Sequence, residues 1–200
     1  MGLYTTSPGF DLIRYIDTDI QIPLKLELRL YNRGDYIYLP HQNNQYVYEL
    51  VNGAIKVGSY SKNGSEVPFD ILSPGDIFGN LNFLGDNYFY EYTRAHTSCS
   101  VRLFSLPVFK DLITSDKNIA EWYHINSTRR WCRLEARLFK ICAEVAHERF
   151  EYIRKVLDFN VSNNSGVTIN IFDSLTKSDL ASLIGISRQT LASILRNNEV

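Results

Sequence analysis

Between about Leu24 and Leu106 the apolar positions fall in short β-prone runs: Tyr36 to Leu39, Tyr46 to Val51, Ala54 to Val57, Val67 to Leu72 and Ser100 to Phe104. Turn residues separate them at Gly34-Asp35, Asn52-Gly53, Asn63-Gly64 and Ser73-Pro74-Gly75-Asp76. Both central residues of a type I′ turn need positive φ, so Asn63-Gly64 between two such runs predicts a hairpin. Corners at this spacing are the rhythm of an antiparallel sandwich or barrel, and this half is predicted all-β.

After Pro107 the period lengthens. Trp131, Leu134, Leu138, Ile141 and Val145 recur at alternating steps of three and four, a helical stripe patterned like an a/d seam. Such a stripe has to be buried, either on the β-half of its own chain or on the same stripe of a second copy, and the spacing leaves both open. Arg129, Arg130, Arg133, Arg137 and Lys140 lie largely off the stripe and are expected to stay solvated. A second helix is expected over His147 to Phe159, with Ser162 to Gly166 as a loop.

The segment Lys177 to Arg196 carries the sharpest local signal. Leu180 and Ile184 share one helical face, and Gly185-Ile186-Ser187 interrupts it. Gly185 suits the left-handed conformation of a helix C-terminus, and Ser187 can cap the next helix. Leu191, Ile194 and Leu195 then face inward on that helix, while Ala181, four residues before Gly185, lets the two helices approach. Thr176 with Asp179 three residues on predicts the cap of the first. This is the pattern of a DNA-reading helix-turn-helix. An ordinary helical hairpin shares the turn, but the outward row Ser187, Arg188, Gln189, Thr190, Ser193 and Arg196 contains no acid. Arg can pair with guanine and Gln with adenine, and Ser and Thr reach phosphate.

Composition limits what else the chain does. With 44% apolar and 13% aromatic residues, 200 residues form a packed core rather than a disordered chain. A net charge of -1 excludes a histone-like basic protein, yet residues 116–200 hold 12 bases against 10 acids while residues 1–115 hold 9 against 12. No apolar run approaches the roughly 20 residues of a membrane span and no secretory signal is visible, so a soluble, cytoplasmic protein without membrane contact is expected. Met1 to Thr6 fits the loose myristoylation pattern, as short sequences often do by chance. Three spaced cysteines, Cys99, Cys132 and Cys142, suggest neither a disulfide framework nor an iron-sulfur cluster. His41, His96, His124 and His147 are scattered, with no His-x-His pair, nucleophile elbow or phosphate-binding loop, so neither an enzyme nor a metal or other cofactor is expected.

Taken together, Gly34-Asp35, Gly53, Asn63-Gly64, Gly75-Asp76-Ile77-Phe78-Gly79, Arg94 to Thr97, the long helix and Ile186 to Leu191 resemble the catabolite activator/FNR family of transcription regulators, from about Leu24 to Arg196. The resemblance implies an α+β chain: an antiparallel β jelly roll of cyclic-nucleotide-binding type (1–115), a long dimerisation helix (116–145) carrying Trp131, Leu134, Leu138, Ile141 and Val145, and a helix-turn-helix domain (146–200). It implies double-stranded DNA and a second copy of the chain as partners, a small-molecule effector of unknown identity, and RNA polymerase as a possible further partner. Lys177, Ser178, Ser187 and Thr190 would rest on phosphates, while Arg188, Gln189 and Ser193 would read bases beside Arg196. The β-hairpin wing that follows the recognition helix in relatives is not evident, and this predicts reduced phosphate contact.

In relatives that bind cyclic AMP, the loop after Gly79 holds a Glu for the ribose and an Arg-Ser pair for the phosphate. Here Asn80 takes the Glu position and Tyr88-Phe89-Tyr90-Glu91 the Arg-Ser region, so no cation meets a phosphate and the usual cyclic-nucleotide binding is not expected. The expected pocket comprises Gly79, Asn80, Leu81, Tyr88, Phe89, Tyr90, Arg94 and His96; Arg94 corresponds to a strand residue after the loop, so its recruitment as a substitute cation is the lesser alternative, and a lone His96 in a β-domain reads as structural rather than as a haem ligand. The loop aromatics either fill the cavity or line a pocket for an effector of low charge. A binding module with a degenerate DNA-binding domain is the competing function.

Overall fold

The computed structural model describes residues 10–20, 26–40, 45–79 and 90–198. A short helix α1 (Leu12–Tyr15) running into one π-helical turn precedes strands β1 (Glu27–Tyr31), β2 (Tyr36–Tyr38), β3 (Tyr46–Asn52), β4 (Ile55–Tyr60), β5 (Glu66–Leu72), β6 (Ile77–Phe78), β7 (Tyr92–Ala95) and β8 (Cys99–Ser105). Helices α2 (Leu106–Ser115), α3 (Lys117–Ala143) and α4 (Ala146–Leu157) follow. Strands β9 (Asn160–Ser162) and β10 (Thr168–Asn170) then lead to α5 (Ile171–Ser174), α6 (Lys177–Ile184) and α7 (Arg188–Asn198).

The first eight strands form two four-stranded antiparallel sheets, ordered β1-β8-β3-β6 and β2-β7-β4-β5. Side chains two residues apart on a strand share a face. Tyr48 and Leu50, with Val101 and Leu103, therefore meet Ile55 and Val57 from the other sheet in one buried core that also holds Tyr38, Leu72 and Phe78. Burying each such aliphatic side chain contributes about 1.5 to 3 kcal/mol. The β4–β5 connection is a three-residue turn rather than the expected type I′ pair. Ser61 N–H donates to Ser65 O, Gly64 N–H donates to Ser61 O, and Gly64 supplies the left-handed residue at φ 75°.

The predicted loop at Ser162 to Gly166 is the tip of the β9–β10 hairpin, where Ser162 pairs with Thr168. Asn163 Oδ1 organises that tip by accepting the N–H groups of Ser165 and Val167, both at 2.9 Å. The hairpin, α4, α6 and α7 enclose a separate core of Phe150, Ile153, Leu157, Val161, Leu180, Ile184, Leu191 and Ile194. Ala54 and Ile71 of the β-half belong to the same cluster, so the two halves are packed together.

Three side chains of α3 that were expected to stay solvated, those of Arg130, Arg133 and Arg137, instead face the β-half. Arg133 is 3% exposed and grips Asp76 with both terminal nitrogens at 3.2 Å, with Asp70 at 3.9 Å. One turn earlier Arg130 Nε donates to Asp70 at 3.2 Å and its guanidinium lies 3.7 Å from Glu91; one turn later Arg137 donates to the carbonyl of Phe69. The arginines leave water because Asp70 and Asp76, 2% and 9% exposed, would otherwise be buried without countercharge.

The apolar stripe divides accordingly. Trp131 and Leu138 stand 65% and 60% exposed and are joined by Phe139, whereas Leu134 and Ile141 turn partly toward the body of the chain. Val145 lies beyond the helix as the extended residue before α4.

Removing one partner of a buried ion pair leaves the other charge uncompensated. Arg133→Met is therefore expected to cost about 3 to 5 kcal/mol, read by urea unfolding. A loss below about 1 kcal/mol would mean that the pair does not hold the helix.

Candidate functional site

Helices α6 and α7 are set by the caps their sequence encodes. Thr176 Oγ1 accepts the N–H of Asp179 at 3.1 Å while the Asp179 carboxylate accepts from the Thr176 N–H and hydroxyl, a reciprocal capping box. At the other end Gly185 adopts φ 73°, its N–H reaching Ser182 O at 3.2 Å and that of Ile186 reaching Ala181 O at 3.0 Å. These are the two bonds of a Schellman ending. Ser187 Oγ accepts the N–H of Thr190 at 3.0 Å and starts α7. Leu191 and Ile194 bury one face of α7. Lys177, Ser178, Ser187, Arg188, Gln189, Thr190, Ser193 and Arg196 are all exposed, the first two at the start of α6 and the others at the start of α7 or along it.

Two contacts outside this pair grip its turn. Arg149 on α4 donates to Gly185 O at 3.2 Å, and the Ile141 side chain lies 3.4 Å from the position a Cβ on Gly185 would occupy. Neither residue carried a sequence signal for this role, because the contact joins helices about 40 residues apart in the chain.

A cavity of about 360 Å³ opens between the β-half and α3. Gly79 and Phe78 form its floor, and Tyr123, Asn126, Ser127, Arg130, Trp131 and Leu134 of α3 supply the opposite wall. Of the expected pocket residues, Gly79 is there; Asn80, Leu81, Tyr88 and Phe89 lie outside the described residues. Tyr90 is half-exposed and not among the lining side chains, though its carbonyl accepts from Ser59. Arg94 is directed elsewhere. Its Nε donates to Gly34 O at 2.7 Å, its Nη1 pairs with Glu66 at 3.0 Å, and its guanidinium lies over Tyr36, so it is no substitute phosphate ligand.

His96 is also not in the cavity. It is 4% exposed, and its Nε2 lies 2.8 Å from Ser174 Oγ on α5, so it joins the β-half to the C-terminal helices. Burial, reinforced by Lys56 and partly offset by Asp179, pushes the imidazole down from 6.5 to about 4. It is a neutral structural histidine.

Residues 28–116 match the family described as the cyclic nucleotide-binding domain, which gives the class of the β-half. The chain is 24% identical over 176 residues to the global nitrogen regulator of Synechococcus elongatus, covering 86% of this chain and 78% of that one. It is 23% identical over 161 residues to a CRP-like cAMP-activated global transcriptional regulator of Mycobacterium tuberculosis, covering 80% and 71%. A solved CooA mutant from Carboxydothermus hydrogenoformans has the same fold, with a TM-score of 0.70 at 14% identity over 100% of this chain and 88% of that one. Residues 28–116 are thus of the cyclic nucleotide-binding class, and the chain is similar to transcription regulators of the catabolite activator/FNR type. Among the described residues no helix is long and apolar enough to cross a membrane.

The His96 environment makes stability depend on pH. Below pH 6.5 the unfolded chain takes up a proton that the folded chain refuses until about pH 4. Stability present above pH 6.5 is therefore lost as the pH falls through that window, on the order of 3 kcal/mol at its lower end. A His96→Gln variant should lose less than the wild type between pH 7 and 4.5 when unfolded with urea; identical pH profiles would contradict the buried neutral imidazole.

Proposed function

We propose that the protein is a homodimeric, sequence-specific DNA-binding regulator, built as a jelly-roll effector domain (1–115), a dimerisation helix (116–145) and a helix-turn-helix domain (146–200). The observation that carries this reading is the surface of α7: its apolar face is buried in its own domain while Gln189, Ser193 and Arg196 are exposed in one row, flanked by the exposed Arg188 and Thr190. A helix presenting such a row fits the major groove, and two of them related by a two-fold axis reach half-sites about 34 to 36 Å apart. Lys177, Ser178, Ser187 and Thr190 sit at the N-terminal ends of the two helices, suited to phosphates; Arg188, Gln189 and Ser193 are the base readers.

Dimerisation is supported by the outward face of α3. Trp131, Leu138 and Phe139 are all more than half exposed, a ridge of large apolar side chains that a second copy would cover. Leu134 and Ile141 serve the chain's own packing, so the seam runs along a narrower line than the sequence pattern suggested.

The effector reading places a ligand of low charge beside Gly79. In the cavity wall Arg130 is held between Asp70 and Glu91, and its neighbour Arg133 by Asp76 and Asp70, so two guanidinium groups face three carboxylates. Among the described residues that line the cavity, an added phosphate would meet no spare positive charge. Occupation of the cavity would move α3 and, through it, the helices beyond Val145.

Two measurements test this. Arg188→Ala should weaken binding to a duplex selected by the wild type by about 1 to 3 kcal/mol and relax preference at one base pair; unchanged discrimination in fluorescence anisotropy would remove Arg188 from the reading face. Leu138→Glu should convert a dimer to a monomer in sedimentation experiments while leaving the circular dichroism unchanged. A dimer that persists would place the interface elsewhere.

A further inference from the structure

Helix α6 is held at both ends by groups outside its own helical pair. At its C-terminal end are Ile141 and Arg149, against Gly185. At its N-terminal end is Lys56 on β4, whose Nζ lies 3.1 and 3.2 Å from the two carboxylate oxygens of Asp179. The pair is largely withdrawn from solvent, the Lys56 and Asp179 side chains being 14% and 10% exposed. Asp179 is the same residue that closes the capping box with Thr176. One carboxylate therefore both starts the helix and ties that start to the β-sheet.

We propose that Lys56 is a positioning residue for DNA recognition: through Asp179 it sets the angle of α6, and hence of α7, relative to the dimer axis. The inference rests on the proposed reading of the protein as a two-fold DNA-binding dimer. Helix α7 is packed on α6 through Leu191 and Ile194, so a tilt of α6 carries α7 with it. The apolar contacts of α6 with Ala54 and Ile71 are non-directional, whereas the Lys56–Asp179 pair fixes the start of this eight-residue, about 12 Å long helix at one point on the sheet. The contact does not mask the reading face, since Arg188, Gln189 and Ser193 are exposed while Lys56 and Asp179 are joined. Its effect is to pre-set geometry. Pre-set geometry matters only when both recognition helices must engage one duplex, because the second contact is then intramolecular and its strength depends on alignment. A single half-site asks nothing of it.

The experiment compares two duplexes selected by the wild-type protein from a random-sequence pool, one with both inverted half-sites and one with a single half-site. Anisotropy is read for wild type, Lys56→Met and Lys56→Arg, with thermal melting as a check on folding. Lys56→Met is expected to reduce the ratio of full-site to half-site affinity by about tenfold with the half-site constant unchanged, and Lys56→Arg to restore the ratio. A wild-type ratio in Lys56→Met, or an equal loss on both duplexes, overturns the positioning role while leaving the regulator reading intact. Failure of the wild type to enrich any duplex from the pool overturns both.

Discussion

The architecture depends on how two buried aspartates of the β-half are neutralised. Asp76 is fixed by the Ser73–Asp76 corner, where it accepts the Ser73 N–H at 2.8 Å, and its remaining lone pairs face α3. Asp70 accepts the N–H of Ile71 and is likewise turned inward. The long helix meets both with Arg130 and Arg133, three residues apart and therefore on one face. Because these partners are charged and directional, a helix displaced by one turn would strand a guanidinium or a carboxylate, so the pairing defines a single register. The outward display of Trp131, Leu138 and Phe139 is its direct result. With the polar face taken by the sheet, the apolar face has nowhere else to go.

What the sequence revealed and concealed follows from the range of the interactions. The strands show because period-two alternation is local, and the α6–Gly185–α7 corner shows because each of its devices, the Thr176–Asp179 box, the left-handed Gly185 and the Ser187 cap, acts within four residues. The buried arginines did not show. Their partners lie about 60 residues earlier, and a row of arginines beside an apolar stripe reads as the solvated face in any local analysis. The β9–β10 hairpin was hidden for another reason: three-residue strands are too short to display alternation, and Asn163 makes its turn with a side chain rather than a glycine pair. His96 and Arg94 were assigned to the effector pocket by their place after the loop, whereas Ser174 and Glu66 draw them onto other surfaces.

The family relationship and the local chemistry point in different directions at one place. The β-half has the class of a cyclic nucleotide-binding domain, yet among the described residues Arg130 and Arg133 pair with Asp70, Asp76 and Glu91. A scaffold that in other chains meets an anion here spends its cations on its own carboxylates. Fold and ligand are thus separable properties, the first set by the core packing and the second by a few side chains.

Trp131 occupies two places at once. Its side chain lines the cavity beside Gly79 and also stands on the ridge proposed to meet a second copy. Any occupant of the cavity that changes the disposition of this indole must alter the monomer–dimer constant by the same factor by which pairing alters the occupant's own affinity. The apparent potency of an effector would then vary with the cellular abundance of the regulator, making the chain a reporter of its own concentration as well as of its ligand.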